Sequence, residues 1–218
     1  LLAAAFAPTM VVAQESTGRE NHGYGGGGLM LVGNTFDQGS GGGSVDSGGG
    51  GLFAFGAGLF DVGAVGIGVN GGIFGGERTY DDVDVDIAEG QFTIDGGVVL
   101  LDILYLSLGL QSYAFTVEDP VFGDTDTSYV VLPLGVGVYK ATDNGYLLAQ
   151  IRFGGGTATF DDDSEEDLGY FGIRLMGQIG AANGVQFLGG VEHESYDFKD
   201  FDATDDYFRV FLGVGFGT

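Results

Sequence analysis

Residues 207–218 read YFRVFLGVGFGT, a stretch in which Phe208, Val210, Leu212, Val214 and Phe216 alternate with Arg209, Phe211, Gly213, Gly215 and Gly217. A period of two sends the two sets to opposite faces of a β-strand. The pattern recurs upstream. Phe171, Ile173, Leu175 and Ile179 stand against Gly172, Arg174, Met176 and Gln178, and Leu147, Ala149, Ile151 and Phe153 stand against Leu148, Gln150 and Arg152. Leu104, Leu106, Leu108 and Leu110 stand against Tyr105, Ser107, Gly109 and Gln111. The second face is built of glycine and uncharged polar side chains, not of the Lys, Glu and Thr that cover a solvated sheet.

Working outward from these runs, the chain divides into about ten strands. They lie near 24–36, 51–60, 64–76, 90–100, 104–117, 128–139, 146–160, 168–180, 185–197 and 205–217. The connections alternate in length. Short ones fall at 61–63, 101–103, 142–145 and 181–184, and Asn144-Gly145 and Asn183-Gly184 are hairpin-turn signals. Long ones fall near 37–50, 77–89, 118–127, 161–167 and 198–204, and these stretches with their flanks hold most of the acidic residues. One end of the molecule is expected to be a crown of acidic loops and the other to carry tight turns. No segment has a helical period.

Composition narrows the class. The 218 residues include 45 Gly, 18 Phe, 10 Tyr, 3 Pro and no Cys or Trp, and 7 Lys and Arg face 31 Asp and Glu for a net charge of −24. So few cations exclude nucleic acid as a partner, because phosphate binding needs clustered Lys and Arg. Without cysteine there is no disulfide, thiolate zinc site or cysteine nucleophile. A strongly acidic, glycine-rich chain reads as disordered unless it has apolar surface to bury, and here 44% of residues are hydrophobic and the mean hydropathy is +0.21. Acids and apolar residues are therefore segregated along the chain.

Residues Leu1 to Gln14, LLAAAFAPTMVVAQ, are uncharged and end in small residues before a polar segment. They read as the remainder of an export signal, 1–13, cleaved after Ala13, followed by a short N-terminal segment, 14–23. The run is too short to cross ~30 Å of hydrocarbon, and no other apolar run reaches the ~18 residues of a membrane helix.

A soluble β-sandwich would also alternate, but its wet face would be charged. An apolar face turned to lipid with a polar interior requires a closed barrel, since a free strand edge in hydrocarbon leaves backbone groups without partners. Strands of ~9–11 residues suffice to cross. An even strand number, tight turns at one end and long loops at the other complete that plan. The expected fold is all-β, a closed antiparallel transmembrane β-barrel of about ten strands over 24–218, with eight or twelve as alternatives.

Over residues 24–218 the chain resembles the small outer-membrane β-barrel proteins of Gram-negative bacteria, the porin-like and OmpA-like superfamily. The resemblance rests on signal-like LLAAAFAPTMVVAQ, the alternating strands, loops such as FDDDSEEDLG and the terminal strand YFRVFLGVGFGT. It implies the bacterial outer membrane, loops extracellular, both termini periplasmic, and outer-membrane lipid, lipopolysaccharide and the assembly machinery as partners. In that family the last strand commonly ends on an aromatic residue, whereas this chain ends Phe216-Gly217-Thr218. Ten strands are also similar to the omptin proteases and to other ten-stranded adhesin or porin barrels.

Motifs that carry chemistry are few. Gly66-Ile-Gly68-Val-Asn70-Gly71 matches a dinucleotide fingerprint as a string, but no helix follows to receive a pyrophosphate. Asp82, Asp84 and Asp86 match the start of an EF-hand loop, but Ile87 stands where Gly is required and Thr93 where the distal Glu belongs. Weak Ca2+ or Mg2+ binding is expected at Asp81, Asp82, Asp84 and Asp86 and at Asp161, Asp162, Asp163, Glu165 and Glu166; the competing reading is that these acids only solvate the loops. His193 lies between Glu192 and Glu194 and points outward by alternation. Neither a Ser-His-Asp arrangement nor HExxH is present, so the chain is read as a non-enzyme, with an outer-membrane hydrolase as the remote alternative. No cofactor is expected beyond those weak cations.

The inward faces carry the sharpest expectation. Arg152, Arg174 and Arg209 fall inward on strands seven, eight and ten, and Glu192 and Glu194 inward on strand nine between eight and ten. Counting from the nearest connection puts Arg152 and Arg174 near mid-height, the glutamates slightly above and Arg209 higher still. Asp95, Gln111, Gln150 and Gln178 extend the set. In a narrow interior such charges form either an ion-paired plug, the leading reading, or a selectivity constriction. Two roles follow: a structural or narrow-permeation barrel, or a binding barrel whose acidic loops engage divalent cations, lipopolysaccharide or a basic partner.

Overall fold

The computed structural model describes residues 21–39, 42–62, 65–80, 85–118, 123–142, 144–181 and 184–217. The expected export signal and the Asp81, Asp82 and Asp84 positions lie outside these. Ten strands follow in order: β1 (His22–Asp37), β2 (Ser44–Asp61), β3 (Gly66–Tyr80), β4 (Asp86–Leu100), β5 (Leu104–Glu118), β6 (Thr125–Thr142), β7 (Gly145–Phe160), β8 (Glu165–Gly180), β9 (Val185–Phe198) and β10 (Ala203–Gly217). Each pairs antiparallel with its sequence neighbours, and β1 pairs with β10 from Tyr24 opposite Gly217 to Asp37 opposite Thr204. The sheet is a closed barrel.

The sequence alternation maps onto the two faces of this wall. Leu29, Leu52, Leu108, Leu132, Ile173, Phe208, Leu212 and Val214 are exposed on the outside, while Arg209, Phe211, Arg174, Met176 and Gln111 are buried inside. On β6 the exposed run from Val130 to Val136 is flanked by further apolar positions, and such a run of about eight residues at ~3.3 Å each, tilted ~40°, makes a belt roughly 20 Å tall. A belt of exposed Leu, Ile, Val and Phe around a closed barrel is a lipid-facing surface.

The acidic end departs from expectation. The strands span 14 to 18 residues, and they run into the stretches expected as long loops: β2 begins at Ser44, β3 runs to Tyr80, β4 begins at Asp86 and β8 at Glu165. The reason is cross-strand pairing. On the outer face threonines stand opposite aspartates in register, and the Thr35, Thr79 and Thr116 hydroxyls donate to Asp46, Asp86 and Asp126 at 2.7, 3.0 and 2.6 Å. Such pairs keep polar strand ends in the ladder. A 15-residue strand is roughly 50 Å long, so the wall projects well beyond its apolar belt.

Three local features shape the wall. Pro133 sits inside β6, and the β5–β6 ladder is interrupted beside it, between Leu108–Leu134 and Gln111–Val131, with the same register on either side, because proline has no N–H to donate. At the β1–β10 seam Gly28 faces Gly213, and a Cβ on Gly28 would lie 2.2 Å from the Leu212 carbonyl oxygen. The backbones approach there more closely than any side chain permits. At the other end Leu101 and Asp102 take φ of 52° and 62°, the left-handed central pair of a turn closed by the Ile103 N–H donating to the Leu100 carbonyl at 3.1 Å.

Two outcomes test this wall. Leu212→Arg places a charge on the lipid face and should cost roughly 2–4 kcal/mol in a lipid refolding titration, the value for a membrane midplane. Gly28→Val should prevent seam closure, read as loss of heat-modifiable migration, whereas Gly33→Val, at a position where a Cβ meets no atom within 4 Å, should retain it.

Candidate functional site

The interior is stacked in three layers, and the middle one carries the charge. Across the wall Arg174 on β8, Glu192 on β9 and Arg209 on β10 are direct register partners, with Glu194 one inward step toward the loop end. Arg209 thus lies opposite Glu192 and below Glu194, not above both as counting from the loops had implied. Arg152 on β7 pairs with Gly172 on β8, and Gly172 pairs with Glu194. A Cβ on Gly172 would lie 2.6 Å from the Tyr170 hydroxyl, which itself donates to the Glu194 carboxylate.

The contacts are short and dry. Arg152 Nη2 lies 2.5 Å from Glu192 Oε1 and 2.6 Å from Glu194 Oε1, Arg174 Nη2 lies 2.6 Å from Glu192 Oε1, and Arg209 Nη1 lies 2.5 Å from Glu194 Oε2. Arg174 Nη1 reaches Asp95 Oδ2 and Asn70 Oδ1 at 3.4 Å. Gln111 accepts from Arg152 at 3.0 Å and donates to the Tyr196 hydroxyl. The Tyr170 hydroxyl donates to Glu194 Oε1 at 2.8 Å. Arg209 Nε and Nη2 have no hydrogen-bond acceptor among the described residues. Its guanidinium instead lies over the rings of Phe74 and Tyr207, 4.5 and 4.8 Å from their centroids, where the ring quadrupoles stabilise the cation.

Of the expected network, Arg152, Arg174, Arg209, Glu192, Glu194, Asp95 and Gln111 are brought together. Gln178 is not, and Gln150, although the register partner of Arg174, makes its own hydrogen bond elsewhere. Gln150 donates to Ser107 Oγ at 2.6 Å, and Gln178 donates to Gln186 at 2.8 Å toward the turn end.

A second charged cluster above the first was not foreseen. Arg78 Nε donates to Glu89 Oε2 at 2.9 Å, and its Nη1 donates to Asn34 Oδ1 and Ser47 Oγ at 2.5 Å each. Asp205 accepts from Asn34 at 2.5 Å, from Tyr129 at 2.9 Å and from Tyr207 at 2.7 Å. By sequence, Arg78 and Glu89 fall in the long connection 77–89. The available signal was the unbroken inward series Asn70, Gly72, Phe74, Gly76, Arg78, which carries β3 past its apolar part. Four of the seven basic residues of the chain are therefore buried in the lumen, facing Glu89, Asp95, Glu192, Glu194 and Asp205.

Aromatic layers close both ends of this polar core. Toward the loops Phe198 packs on Phe36, Phe160 and Tyr129, with ring centroids 5.7 to 6.3 Å apart. Toward the turns Tyr146 packs on Tyr24 at 4.9 Å, on Phe55 at 5.9 Å and on Tyr139 at 6.2 Å, and the Tyr24 hydroxyl donates to the Thr142 and Gly145 carbonyls. Among the residues whose burial is described, nine tyrosines are buried, all on the inward face.

The expected cation ligands fare unevenly. Glu166 is buried and its Oε1 accepts the Asp200 and Phe201 N–H groups at 2.7 and 3.2 Å, pinning the β9–β10 turn, so it is corrected from a surface ligand to a structural residue. Asp162 accepts from the Ser164 hydroxyl and N–H, which hold its carboxyl below the usual carboxylate range. Asp86 takes the Thr79 hydroxyl, while Asp161, Asp163 and Glu165 are exposed. No group of three or more His, Asp or Glu among the described residues is arranged to hold a metal ion. His193 stands on the outer wall with Nδ1 3.1 Å from the Tyr207 carbonyl oxygen, turned away from the inward Glu192 and Glu194.

Glu194 accepts from four donors, Arg152, Arg209, Tyr170 and Tyr196, so Glu194→Ala should cost about 3–5 kcal/mol, the scale for breaking a buried ion pair, in a refolding titration. Glu165→Ala, at an exposed position, should change stability by less than about 0.5 kcal/mol in the same assay.

No family model and no curated protein matches the chain. Among solved structures, the outer membrane protease OmpT of Escherichia coli superposes with a TM-score of 0.50 at 10% identity, covering 94% of this chain and 98% of that one. The translocator domain of the autotransporter NalP from Neisseria meningitidis aligns at 13% identity with a TM-score of 0.46, over 92% of this chain and 89% of that one. The beta domain of the Bordetella autotransporter BrkA aligns at 13% identity with a TM-score of 0.47, over 88% and 98%. At 10% identity the likeness to the first of these is one of fold, a closed antiparallel β-barrel with an apolar exterior.

Proposed function

We propose that this protein is a sealed barrel of the bacterial outer membrane with a structural role, not a catalyst and not an open pore. The observation that carries this reading is the complete burial of the mid-lumen: Arg152, Arg209 and Glu194 each have 0% exposure. A conducting pore needs a hydrated path along charged side chains, and these charges are neutralised by one another, with aromatic layers above and below. In a barrel of about ten strands the interior is narrow enough for side chains to fill it.

The non-catalytic part rests on geometry too. Carboxylates held in buried ion pairs are poorly placed to activate water, and His193 faces the lipid side. In this reading the turn end and both termini face the periplasm and the acidic end faces outward, where a −24 chain repels its own kind and stays dispersed.

The test is conductance in planar bilayers. Wild type should give no discrete single-channel steps. Arg174→Ala removes one cation from between Asp95 and Glu192 and should introduce a small leak along with a loss of stability. Large, stable steps from wild type would overturn the sealed barrel and favour the constriction.

A further inference from the structure

Hydrogen-bond demand inside the lumen is met unevenly. On the β8 to β10 side both oxygens of Glu194 accept from arginine and tyrosine donors. On β4, four successive inward residues each keep a buried oxygen with no hydrogen-bond partner among the described residues: Glu89 Oε1, Gln91 Oε1, Thr93 Oγ1 and Asp95 Oδ1. The register explains the deficit. Glu89 lies beside Gly76, Thr93 beside Gly72 and Asp95 beside Gly109, while Gln91 lies between the rings of Phe74 and Tyr113. Glycine and phenylalanine offer these oxygens nothing, and the polar neighbours donate elsewhere: Asn70 to Tyr105, Gln111 to Tyr196 and Tyr113 to Glu89 Oε2.

Unmet donors face the same strand. Arg209 Nε and Nη2 have no acceptor, and the guanidinium carbon lies 4.5 and 5.6 Å from the ring centroids of Phe74 and Tyr113, the two rings that flank Gln91. Arg152 Nε is unmet as well, and so is Gln150 Oε1 beside Arg174. All of these side chains belong to residues more than nine-tenths buried. A buried polar group without a partner bears the whole cost of leaving water, and native interiors hold few of them.

The chemistry of the set names what fills it. A cation would serve only the oxygens and would sit against Arg174 and Arg209. An anion would serve only the guanidinium N–H groups and would sit against Glu89 and Asp95. A molecule that both donates and accepts serves the two sets together, and water is the one small enough for so narrow an interior. Successive inward residues of a strand stand roughly 7 Å apart, a distance that hydrogen-bonded waters bridge.

We propose that a file of buried water lines the inner face of β4 from Glu89 to Asp95 and links it to Arg209 and Arg152. The lumen is then ion-paired on one flank and hydrated on the other, with the aromatic layers enclosing the file above and below. The proposal rests on the sealed-barrel reading, which the planar-bilayer recording tests separately; large single-channel steps there would remove the sealed lumen itself.

In a barrel that shows no steps, Thr93 isolates the file, because valine matches its shape and lacks the hydroxyl. Thr93→Val should shift the refolding equilibrium about tenfold toward the unfolded chain, the net worth of one hydrogen bond. Crystals of wild type should show water within about 3.2 Å of Thr93 Oγ1 and of Asp95 Oδ1, and Thr93→Val should lose the first of these while Thr93→Ser keeps it. A Thr93→Val barrel as stable as wild type or more so, the result for a hydroxyl with nothing bound to it, would overturn the file. Crystals in which Gln91 and Arg209 meet directly and no water stands at Thr93 or Asp95 would do the same. Rb+ taken up beside Asp95 after soaking would overturn it in favour of a cation site.

Discussion

Everything in this molecule depends on one constraint: a wall with an apolar exterior cannot leave backbone N–H and C=O groups unpaired. In hydrocarbon each orphaned group costs several kcal/mol, so the sheet must have no edge. Closure is made where β1 meets β10 over fourteen register pairs. It is made there because Gly26 and Gly28 face Gly215 and Gly213 and let the two backbones come within a distance no Cβ allows. The cost of so much glycine is conformational entropy, offset by the cooperativity of a ladder in which every strand has two neighbours.

Closure creates an interior that must be filled, and the filling explains the unusual distribution of side chains. Tyrosine and arginine are long enough to reach the centre of the lumen from opposite walls, and their polar ends find one another there. Four guanidinium groups against five carboxylates come close to neutrality, which is the condition under which buried charges are tolerated. The same demand draws nine tyrosines inward. Outside, the zone between the apolar belt and the acidic end is built of glycine, alanine, serine and threonine–aspartate pairs where barrels usually carry an aromatic girdle. Small side chains there make the wall concave over β4 to β7.

The lower half of the barrel was legible because burial on one face and lipid on the other impose a strict period of two, and Phe208 to Phe216 or Leu104 to Leu110 obey it without interruption. The upper half was misread as loop for a definable reason. Once a strand leaves the membrane its outward positions become polar, so Thr79, Asp86 and Asp126 look like loop residues although they stay in register. Arg78 and Glu89 were lost with them. The inward set at mid-height was recovered as far as face assignment goes, since Arg174, Glu192 and Arg209 fall on known strands. Its heights were less accurate, because counting from loops that were too long displaced Arg209 upward.

The sequence by itself determined a strand number of about ten, the face of each residue within the apolar belt, the segregation of acids to one end and the presence of buried arginines and glutamates facing one another at mid-height. These follow from local periodicity, which any single strand expresses. Which arginine meets which glutamate, whether Gln150 and Gln178 join them, that Arg78 forms a second tier with Asp205, and that the rings of Phe198 and Tyr146 close the two ends were decided only by the tertiary structure. Those contacts run across the lumen between strands far apart in sequence, and they depend on the stagger of the closed sheet, a property of all ten strands together and of none of them alone.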